Sequence, residues 1–505
     1  MMNTKLLSTK LKELCENYFS LNYFLGEHLH ELTHVNVFLF AFISKNISQK
    51  LYICILYHKN VINMDLPLKF RERTKNLLGD EYADFEQALL QNPPTSIRVN
   101  DKIDYKPTTD KVLWCEQGYY LDERPRFTLD PLLHAGVYYV QEASSMFLNR
   151  VVQTYFADAE RVLDLCAAPG GKSTLLLQAL SDNCLLVSNE IVRSRAHILE
   201  ENVVKWGNAN VVVTNNEAAD FSRYKGFFDA LVIDAPCSGE GMFRKDPEAV
   251  NEWSEANVLM CARRQKEIVA AVWDALKPGG VLVYSTCTYN REENEDNVRW
   301  ICGEYNAEVL RVKIDEPEQI VETEAGYRFY PHKVKGEGLF MSVIRKSDDV
   351  ISATRKVKID SRKIKKTSQD SVPFKLKNNL DWTIINDENY IRAYQSVLYD
   401  DIIYVMSGLR VVESGILLAE QKGKDFIPAA QLALSKYLDT NSIDVTELDK
   451  EKMLAYLRKD VFPLDNNVRG YLLMMYQGSG LGWIKNIGNR FNNLYPNNWR
   501  IRMSV

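Results

Sequence analysis

The chain has 505 residues, of which 46% are hydrophobic and 26% are charged, and its formal net charge is -5. This length exceeds one ordinary hydrophobic core, so about two to four domains are expected. The composition is that of a globular protein and excludes a disordered or fibrous chain. The net charge neither favours nor excludes a nucleic-acid partner, because a basic patch can lie on an acidic chain.

Nine cysteines are scattered along the chain without a CxxC pair, a spacing that favours neither a zinc site nor a disulfide framework. We interpret them as the reduced thiols of a cytoplasmic protein. No stretch reaches the roughly 18 uninterrupted apolar residues of a membrane helix. The best candidate, residues 35–57, is interrupted by Lys45 and Lys50. The sequence therefore predicts neither a metal site nor a membrane span.

The first 63 residues differ from the rest and are rich in Leu, Phe, Asn and His. A cleaner pattern begins at Met64, so we hypothesise that Met64 is the natural start and that residues 1–63 are an over-extended gene prediction. Peptides from before Met64 in the native protein would contradict this. His28, His30 and His34 have no fourth ligand nearby, which favours solvated histidines over a metal site.

Residues 64–159 combine a predicted amphipathic helix over 70–90 with β-like runs such as 96–100, which indicates a small N-terminal α+β module. From 160 to 346, short apolar runs alternate with helical stretches. This alternation predicts an α/β domain built on a mixed, mostly parallel, doubly wound sheet. The predicted strands are 161–165, 185–189, 211–214, 230–234 and 281–285, and the predicted helices are 172–180, 193–206 and 254–276, with a turn at 277–280.

Residues 347–373 form a polar stretch with repeated Lys and Arg, which we interpret as a basic linker. Residues 374–505 form a C-terminal region of short strands. In its last part, 484–505, Phe491, Tyr495 and Trp499 are interleaved with Lys and Arg. Two interpretations stay open: a nucleic-acid surface, with cations on phosphates and rings on bases, or a small core with exposed cations.

The first predicted strand runs into a glycine-rich loop and a helix, the place where an α/β sheet binds a nucleotide-like ligand. A P-loop is excluded because Cys166 stands where its first glycine is required, and the G-x-G-x-x-G pattern is absent. A methionine-nucleoside cofactor remains, with Glu190 after the second strand facing ribose hydroxyls and Glu217 after the third strand near adenine. The loop residues are Cys166, Ala167, Ala168, Pro169, Gly170, Gly171 and Lys172.

Two thiols follow the fourth and fifth predicted strands. Asp234 ends the fourth strand three residues before Cys237, and Cys287 comes directly after the fifth strand. The carboxyl ends of neighbouring parallel strands meet at one edge of a sheet, so we expect both thiols in the crevice of the cofactor loop. Geometry alone does not rank one thiol above the other.

A thiol at this position suits chemistry on a pyrimidine. Carbon 5 of cytosine is too electron-poor to take a methyl group directly, whereas a thiolate added to carbon 6 makes carbon 5 nucleophilic. A cationic or helix-end setting favours the thiolate. A protonated carboxyl such as Asp234 can polarise the ring at N3. The target base has to be single-stranded or flipped out of a helix.

At these residues the chain resembles the RNA cytosine-C5 methyltransferase family, which includes bacterial 16S rRNA enzymes and the eukaryotic NOL1/NOP2/Sun proteins. The resemblance rests on CAAPGGK at 166–172, DAPCSG at 234–239 and STCTY at 285–289. It extends to PPTSIRVN at 93–100 and QEASSM at 141–146, and the tail is similar to that of members that methylate small-subunit rRNA. It covers nearly everything from residue 64 onward.

The resemblance implies S-adenosylmethionine as the cofactor, bound by the 166–172 loop, Glu190, Glu217 and Asp234. Relatives commonly carry Asp at the position of Glu217. The resemblance also implies Cys287 as the nucleophile and Cys237 as the thiol that helps to release the product. For the fold it implies a Rossmann-like methyltransferase domain and a C-terminal PUA-like α+β region that binds RNA.

The leading prediction is methylation of 16S rRNA, either as free RNA or within the small ribosomal subunit. The same reaction on tRNA is an alternative, because the catalytic motifs do not distinguish the two substrates. A non-catalytic RNA-binding or assembly factor is disfavoured by the intact set of Asp234, Cys237 and Cys287. A Rossmann-type oxidoreductase is disfavoured by the missing dinucleotide pattern.

Overall fold

The computed structural model describes residues 66–348, 365–368, 372–465 and 467–503. The hypotheses on residues 1–63, on the three N-terminal histidines and on most of the basic linker lie outside these residues. Within the described part of the chain, no helix has the length and apolar character needed to cross a bilayer.

The N-terminal module begins with two helices, α1 (Leu68–Leu78) and α2 (Tyr82–Leu89), where the periodicity predicts one helix over 70–90. Gly79 ends the first helix with a φ of +57°, a conformation that L side chains rarely adopt. Three short antiparallel strands follow in the order β2-β1-β3. These strands and the next two helices are β1 (Thr95–Val99), β2 (Gly118–Leu121), α3 (Pro131–His134), β3 (Tyr138–Val140) and α4 (Leu148–Tyr155).

A large mixed sheet forms the centre of the molecule. Its strands are β4 (Arg161–Asp164), β5 (Leu185–Asn189), β6 (Val211–Thr214), β7 (Phe228–Asp234), β8 (Leu276–Thr286), β9 (Glu308–Val309), β10 (Val321–Thr323), β11 (Gly326–Phe329), β12 (Leu339–Arg345) and β16 (Val411–Ser414). Among the described residues the order is β10-β11-β12-β8-β7-β4-β5-β6-β16, with β9 paired to β12. Strands β4 to β8 are parallel and β12 and β16 are antiparallel to their neighbours, so the predicted mixed, mostly parallel sheet is confirmed.

The parallel strands are buried on both faces, and this explains their continuous apolar runs. Side chains alternate along each strand, so Val162 belongs to one hydrophobic core and its neighbour Leu163 to another on the opposite face. The helices associated with this sheet are α5 (Gly171–Ala179), α6 (Arg193–Trp206), α7 (Pro247–Glu252), α8 (Glu255–Val272), α9 (Glu295–Tyr305) and α10 (Tyr399–Met406).

Strand β8 differs from its prediction at its start. A turn is expected at 277–280, but the strand already begins at Leu276, and the register against β7 shifts between Phe228 and Ala230. Gly279 keeps a φ of +71°, so the expected glycine turn survives as an irregularity within the strand.

The C-terminal region contains two further antiparallel-type sheets. One has the order β13-β14-β15-β17-β18 and the other β19-β20-β21-β22, where only β19 runs parallel to its neighbour. Their elements are β13 (Lys365–Thr367), β14 (Trp382–Asp387), β15 (Tyr390–Gln395), β17 (Ile416–Lys422), β18 (Asp425–Pro428), α11 (Ala430–Leu434), β19 (Val445–Glu447), α12 (Lys450–Arg458), β20 (Gly470–Tyr476), β21 (Ser479–Asn486) and β22 (Phe491–Asn493).

Two features of this region depart from the expected division of the chain. Strand β13 lies inside the stretch 347–373 that the composition predicts to be a linker. Helix α10 and strand β16, although within 374–505, pack on the methyltransferase core and its sheet. The local sequence pattern does not show the contacts of α10 and β16, because these contacts join residues far apart in the chain.

The N-terminal module and the last sheet share one hydrophobic core. Ile97 and Tyr138 from the N-terminal strands pack in the same cluster as Leu472 and Ile484 from β20 and β21. Lys102 strengthens this junction, since its buried ammonium group donates to the carbonyl oxygens of three separate segments. The module is therefore fixed relative to the C-terminal sheet.

Candidate active site

The predicted cofactor loop joins β4 to α5 at the carboxyl edge of the parallel strands. Gly170 has a φ of +118° directly before α5, a conformation available mainly to glycine, and this explains the glycine there. Two side chains of α6 brace the loop from outside. Arg195 Nη2 donates to the Ala168 oxygen and Asn202 Nδ2 donates to the Pro169 oxygen, each at 2.8 Å.

The two glutamates predicted to bind the cofactor lie at the ends of the next two strands. Glu190 follows β5 and is only 2% exposed, and its Oε1 accepts the backbone N–H of Val192 at 2.9 Å. Asn215, after β6, donates to the Glu190 carbonyl oxygen at 2.7 Å and ties the two strand ends together. Glu217 is exposed, and its carboxylate caps the short helical turn that follows it, together with Asp220.

A buried carboxylate that sequence reasoning did not single out lies beneath the loop. Asp164, the last residue of β4, accepts a hydrogen bond from Ser173 Oγ at 2.7 Å through Oδ2, whereas its buried Oδ1 has no hydrogen-bond partner in the described residues. Burial raises the pKa of Asp164 to about 7, and the charges of Asp234 and Glu190 add to this effect. Three carboxylates therefore influence one another around the loop.

This donor set fits S-adenosylmethionine and does not fit a phosphate ligand. The three carboxylates outnumber the two basic side chains beside them, Lys172 and Arg195, and would repel a phosphate. A cofactor with a sulfonium, an ammonium and ribose hydroxyls matches them, because carboxylates accept hydrogen bonds and favour positive charge. The residues that would hold it are the 166–172 loop, Glu190 and Asp234.

Cys166, within the loop, is not a candidate nucleophile. Burial raises the pKa of its thiol, and the charges of Asp164 and Asp234 raise it further. Cys166 therefore stays protonated and contributes its bulk and its backbone to the loop.

The two remaining predicted cysteines lie side by side. They follow the adjacent parallel strands β7 and β8, and Asp234 pairs with Ser285 in the ladder just before them. Cys237 Sγ and Cys287 Sγ are 3.2 Å apart, too far for a disulfide bond and close enough for a thiol–thiolate hydrogen bond. The sequence predicts both thiols at one edge, and the fold brings them into direct contact.

The environment distinguishes the two thiols. The hydrogen bond with Cys287 raises the pKa of Cys237 most, followed by burial and by the charges of Cys287 and Glu293. Either sulfur can donate in this pair, and the raised pKa of Cys237 favours Cys237 as the donor. This difference comes from the structure, since the sequence geometry does not rank the two.

Asp234 and Lys172 form an ion pair beside the thiols. Lys172 Nζ lies 2.9 Å from Asp234 Oδ1, which also accepts a hydrogen bond from Ser285 Oγ at 2.8 Å. Burial lowers the pKa of Lys172, but the charge of Asp234 and the hydrogen bond to it outweigh burial, and the negative charge of Cys287 acts in the same sense. The net direction is upward, so Lys172 is a cation that faces both groups.

Two further carboxylates, Glu240 and Glu293, are buried against the cysteine loops. Sequence reasoning missed them, although each acid lies in the loop that follows a buried strand, which was a usable signal. Glu293 lies in the polar run NREENE at 290–295, which looks like a solvated turn in sequence but is largely buried in the structure. Their contacts are described below.

Three family models match the chain. Residues 154–345 match the 16S rRNA methyltransferase RsmB/F model. Residues 66–143 match the N-terminal domain of 16S rRNA methyltransferase RsmF, and residues 444–501 match the methyltransferase RsmF PUA domain. These matches confirm that the chain has the expected N-terminal module and a PUA-like domain in its C-terminal region.

Similar proteins cover most of the chain. Ribosomal RNA small subunit methyltransferase F of Enterobacter sp. (strain 638) is 32% identical over 412 residues, which are 78% of this chain and 84% of that protein. The protein of the same name from Vibrio vulnificus (strain YJ016) is 31% identical over 461 residues, 86% of this chain and 97% of that protein. Among solved structures, PH0851 is 25% identical with a TM-score of 0.51, covering 56% of this chain and 66% of that one. With its fold, its strand-end motifs and these similarities, the chain belongs to the 16S rRNA methyltransferase RsmB/F family.

Proposed function

We propose that this chain transfers a methyl group from S-adenosylmethionine to carbon 5 of a cytosine in 16S rRNA, through a covalent bond between Cys287 and carbon 6. The observation that carries the proposal is the contact of two thiol sulfurs at 3.2 Å beside the Lys172–Asp234 pair. A nucleophile, a second thiol and a proton source at one edge are what a transient addition to a pyrimidine requires.

Cys287 acts as the attacking thiolate. Its sulfur takes a hydrogen bond from Cys237, 3.2 Å away, and lies within electrostatic range of the ammonium group of Lys172, and a thiolate is stabilised by both. Addition to carbon 6 pushes an electron pair towards N3 of the ring. The proton for N3 comes from Lys172 through Asp234, since Asp234 takes a proton at Oδ1 from Lys172 Nζ, 2.9 Å away, and passes a proton to N3. The ring then carries its electron density at carbon 5.

Bound S-adenosylmethionine supplies the electrophilic methyl group that carbon 5 takes. A base then removes the carbon-5 proton, the double bond between carbons 5 and 6 reforms, and the bond from carbon 6 to Cys287 Sγ breaks. Cys237, a thiol 3.2 Å away, donates a hydrogen bond to the departing thiolate and so assists its release. The two cysteines thereby have separate roles.

The substrate assignment follows the family. Relatives named ribosomal RNA small subunit methyltransferase F share about a third of their residues with this chain over most of its length, which favours 16S rRNA over tRNA. The reacting thiols are only partly exposed, so the cytosine has to enter as an extruded or single-stranded base. We place this reaction in the cytoplasm, on 16S rRNA that is free or within the small subunit.

Bisulfite sequencing of 16S rRNA and tRNA from a deletion strain tests the assignment. The strain should lose one or more methylated cytosines in 16S rRNA, and complementation with the wild-type gene should restore them. The Cys287→Ala variant should restore none. If methylated cytosines are lost only from tRNA, the substrate is tRNA. If Cys287→Ala fully rescues the phenotype of the deletion strain, the chain is a non-catalytic assembly factor instead.

A further inference from the structure

We propose that Glu240 and Glu293 are positioning residues that hold the two cysteine loops in contact, and that Glu293 also keeps Cys237 in its thiol form while Cys287 attacks. This inference rests on the proposed function, because it concerns the division of roles between the same two thiols. We call the contacts of these two glutamates the carboxylate clasp.

Glu240 reaches from the loop after β7 to the loop after β8. Its Oε2 accepts the backbone N–H groups of Tyr289 and Asn290 at 2.7 and 3.0 Å, directly after the Cys287 segment. Its Oε1 accepts Trp253 Nε1 at 2.9 Å. One carboxylate, three residues after Cys237, therefore fixes the backbone that follows Cys287.

Glu293 makes the reverse connection. It comes from the loop after β8, and its Oε2 accepts the backbone N–H of Ser238 at 3.0 Å, one residue after Cys237. Gln265 Nε2 and Asn290 Nδ2 donate to its two oxygens, each at 2.7 Å. Each cysteine loop thus supplies a carboxylate that holds the backbone of the other.

The clasp leaves little space between the loops. The backbone N–H of Gly241 donates to the Cys287 carbonyl oxygen at 2.9 Å. A Cβ at Gly241 would lie 3.0 Å from that oxygen and 2.9 Å from the Gly338 oxygen, so only glycine allows this approach. The thiol–thiol contact is therefore built by several hydrogen bonds across the two loops.

Both glutamates accept N–H groups on both carboxylate oxygens, and an amide could not do so because its NH2 group would face a donor. Both are buried, and no Lys, Arg or His nitrogen of the described residues lies within ion-pair distance of either. By contrast, the buried carboxylates of Glu295 and Glu318 pair with arginines. Burying an unpaired charge is unfavourable, and the N–H donors on both oxygens offset that cost, so the carboxylate of Glu293 can keep its charge close to Cys237.

Burial raises the pKa of Glu293, while hydrogen bonds from Ser238, Asn290 and Gln265 favour its charged form, and that charge acts on Cys237. The titratable groups that act on this thiol are Cys287 and Glu293 from the loop after β8, and the phenol of Tyr284 lies within electrostatic range on β8 itself. The cation of the site, Lys172, acts on Cys287. Glu293 disfavours a second thiolate beside the first, and the proton of the pair stays on Cys237.

Thiol alkylation tests the inference without RNA and without turnover. The full-length enzyme is treated with iodoacetamide between pH 6 and pH 9, and the modification of each cysteine is followed by peptide mass spectrometry. In Glu293→Gln the rate at Cys237 should rise about tenfold at pH 8, since one pKa unit corresponds to a tenfold change in thiolate. The rate at Cys287 should change less than about threefold. Glu318→Gln, which removes a buried carboxylate elsewhere, should leave both rates unchanged.

Cross-linking tests the positioning role of Glu240. Diamide oxidises the two thiols to a disulfide and is itself reduced to a hydrazine, so the rate reports how often the sulfurs meet. Glu240→Gln should slow the Cys237–Cys287 cross-link at least about fivefold, and Glu240→Asp should recover part of the rate. An unchanged rate in Glu240→Gln would overturn the positioning role.

The remaining outcomes also decide the inference. An unchanged pH profile of Cys237 in Glu293→Gln would overturn the charge effect. Where that variant does not fold, the wild-type profile decides, because the inference requires Cys287 to react before Cys237 at every pH. If the wild-type enzyme does not methylate 16S rRNA but the alkylation results are as expected, the proposed substrate is wrong and the role of the clasp is supported.

Discussion

The carboxyl edge of the parallel strands and the C-terminal tail present similar polar signals in sequence, yet the structure uses them differently. At the carboxyl edge, residues far apart in the chain meet, as Lys172 and Asp234 do at 2.9 Å. In the tail, Tyr495 is 1% exposed and packs edge-on against Tyr456, and Lys485 pairs with Asp425 at 2.6 Å. The tail aromatics belong to a core rather than to an open stacking surface.

The two regions differ in what determines the role of a residue. A residue just after a parallel strand has its position decided by the topology of the sheet, so motif and site coincide. An aromatic residue among cations has no such constraint, and burial decides its role. Of the two interpretations left open for 484–505, the small core describes Tyr495, and Phe491 and Trp499 are half-buried side chains that pack against that core. Arg500 and Arg502 are exposed there and remain available to phosphates.

The largest effect on activity is expected for a substitution of Cys237, at the carboxyl edge of the sheet. Cys237→Ala should leave the addition step intact and remove the group that assists release, so turnover should fall at least about a thousandfold. The enzyme should accumulate as a covalent protein–RNA adduct, visible as a slow band on a denaturing gel. The matched control Cys261→Ala, a cysteine of α8, should give no adduct, and absence of the band in Cys237→Ala would assign release to another group.

A smaller effect on the same edge is expected at Lys172. Lys172→Met removes the proton source 2.9 Å from Asp234, and kcat should fall about a hundredfold, in the range of one general acid–base contribution. Lys172→Arg keeps the positive charge and should lose less. Methyl transfer kinetics under saturating cofactor measure both variants, and equal kcat values for Lys172→Met and wild type would exclude the proton relay.

The buried Asp164 predicts a pH dependence of stability. Its folded pKa of about 7 lies above the ordinary value of 3.8, so the folded state holds an extra proton between these values and this group costs stability as pH rises through that window. Asp164→Asn removes the titration. The stability of the variant relative to wild type should therefore increase by about 4 kcal/mol between pH 4 and pH 8, at about 1.4 kcal/mol per pKa unit.

Denaturant unfolding of both proteins without cofactor measures this difference. A difference that does not change with pH would show that Asp164 is ionised at neutral pH in the folded chain. Asp158→Asn, at an exposed carboxylate shortly before β4, serves as the control and should leave the pH profile unchanged.

The smallest effect is expected in the tail and separates its two interpretations. The hydroxyl group of Tyr495 is buried without a partner in the described residues, so Tyr495→Phe should change the free energy of unfolding by less than about 1 kcal/mol. Tyr495→Ala should cost about 3 kcal/mol because it leaves a cavity. Neither substitution should alter RNA affinity in the folded protein, whereas a specific loss of affinity in Tyr495→Phe would restore the nucleic-acid surface.

The parts that sequence alone predicts are those with short-range signatures. Strands β5 and β6 and helix α6 have the bounds that their patterns predict, and the two thiols meet as expected from their strand-end positions. The clasp could not be predicted, because Glu240 and Glu293 find their partners across two loops some fifty residues apart. The pairing of β16 with β6 is equally long-range, and the local apolar pattern of β16 does not indicate β6 as its partner.

The pairing of β16 with β6 also limits where the chain can be truncated. Strand β6 would be the open edge of the catalytic sheet if β16 were removed, and its N–H and C=O groups would face solvent or another chain. Helix α10 would leave apolar side chains of the same core uncovered. A gene fragment ending after β12 would therefore yield an aggregation-prone product, and a soluble catalytic fragment has to extend through Ser414.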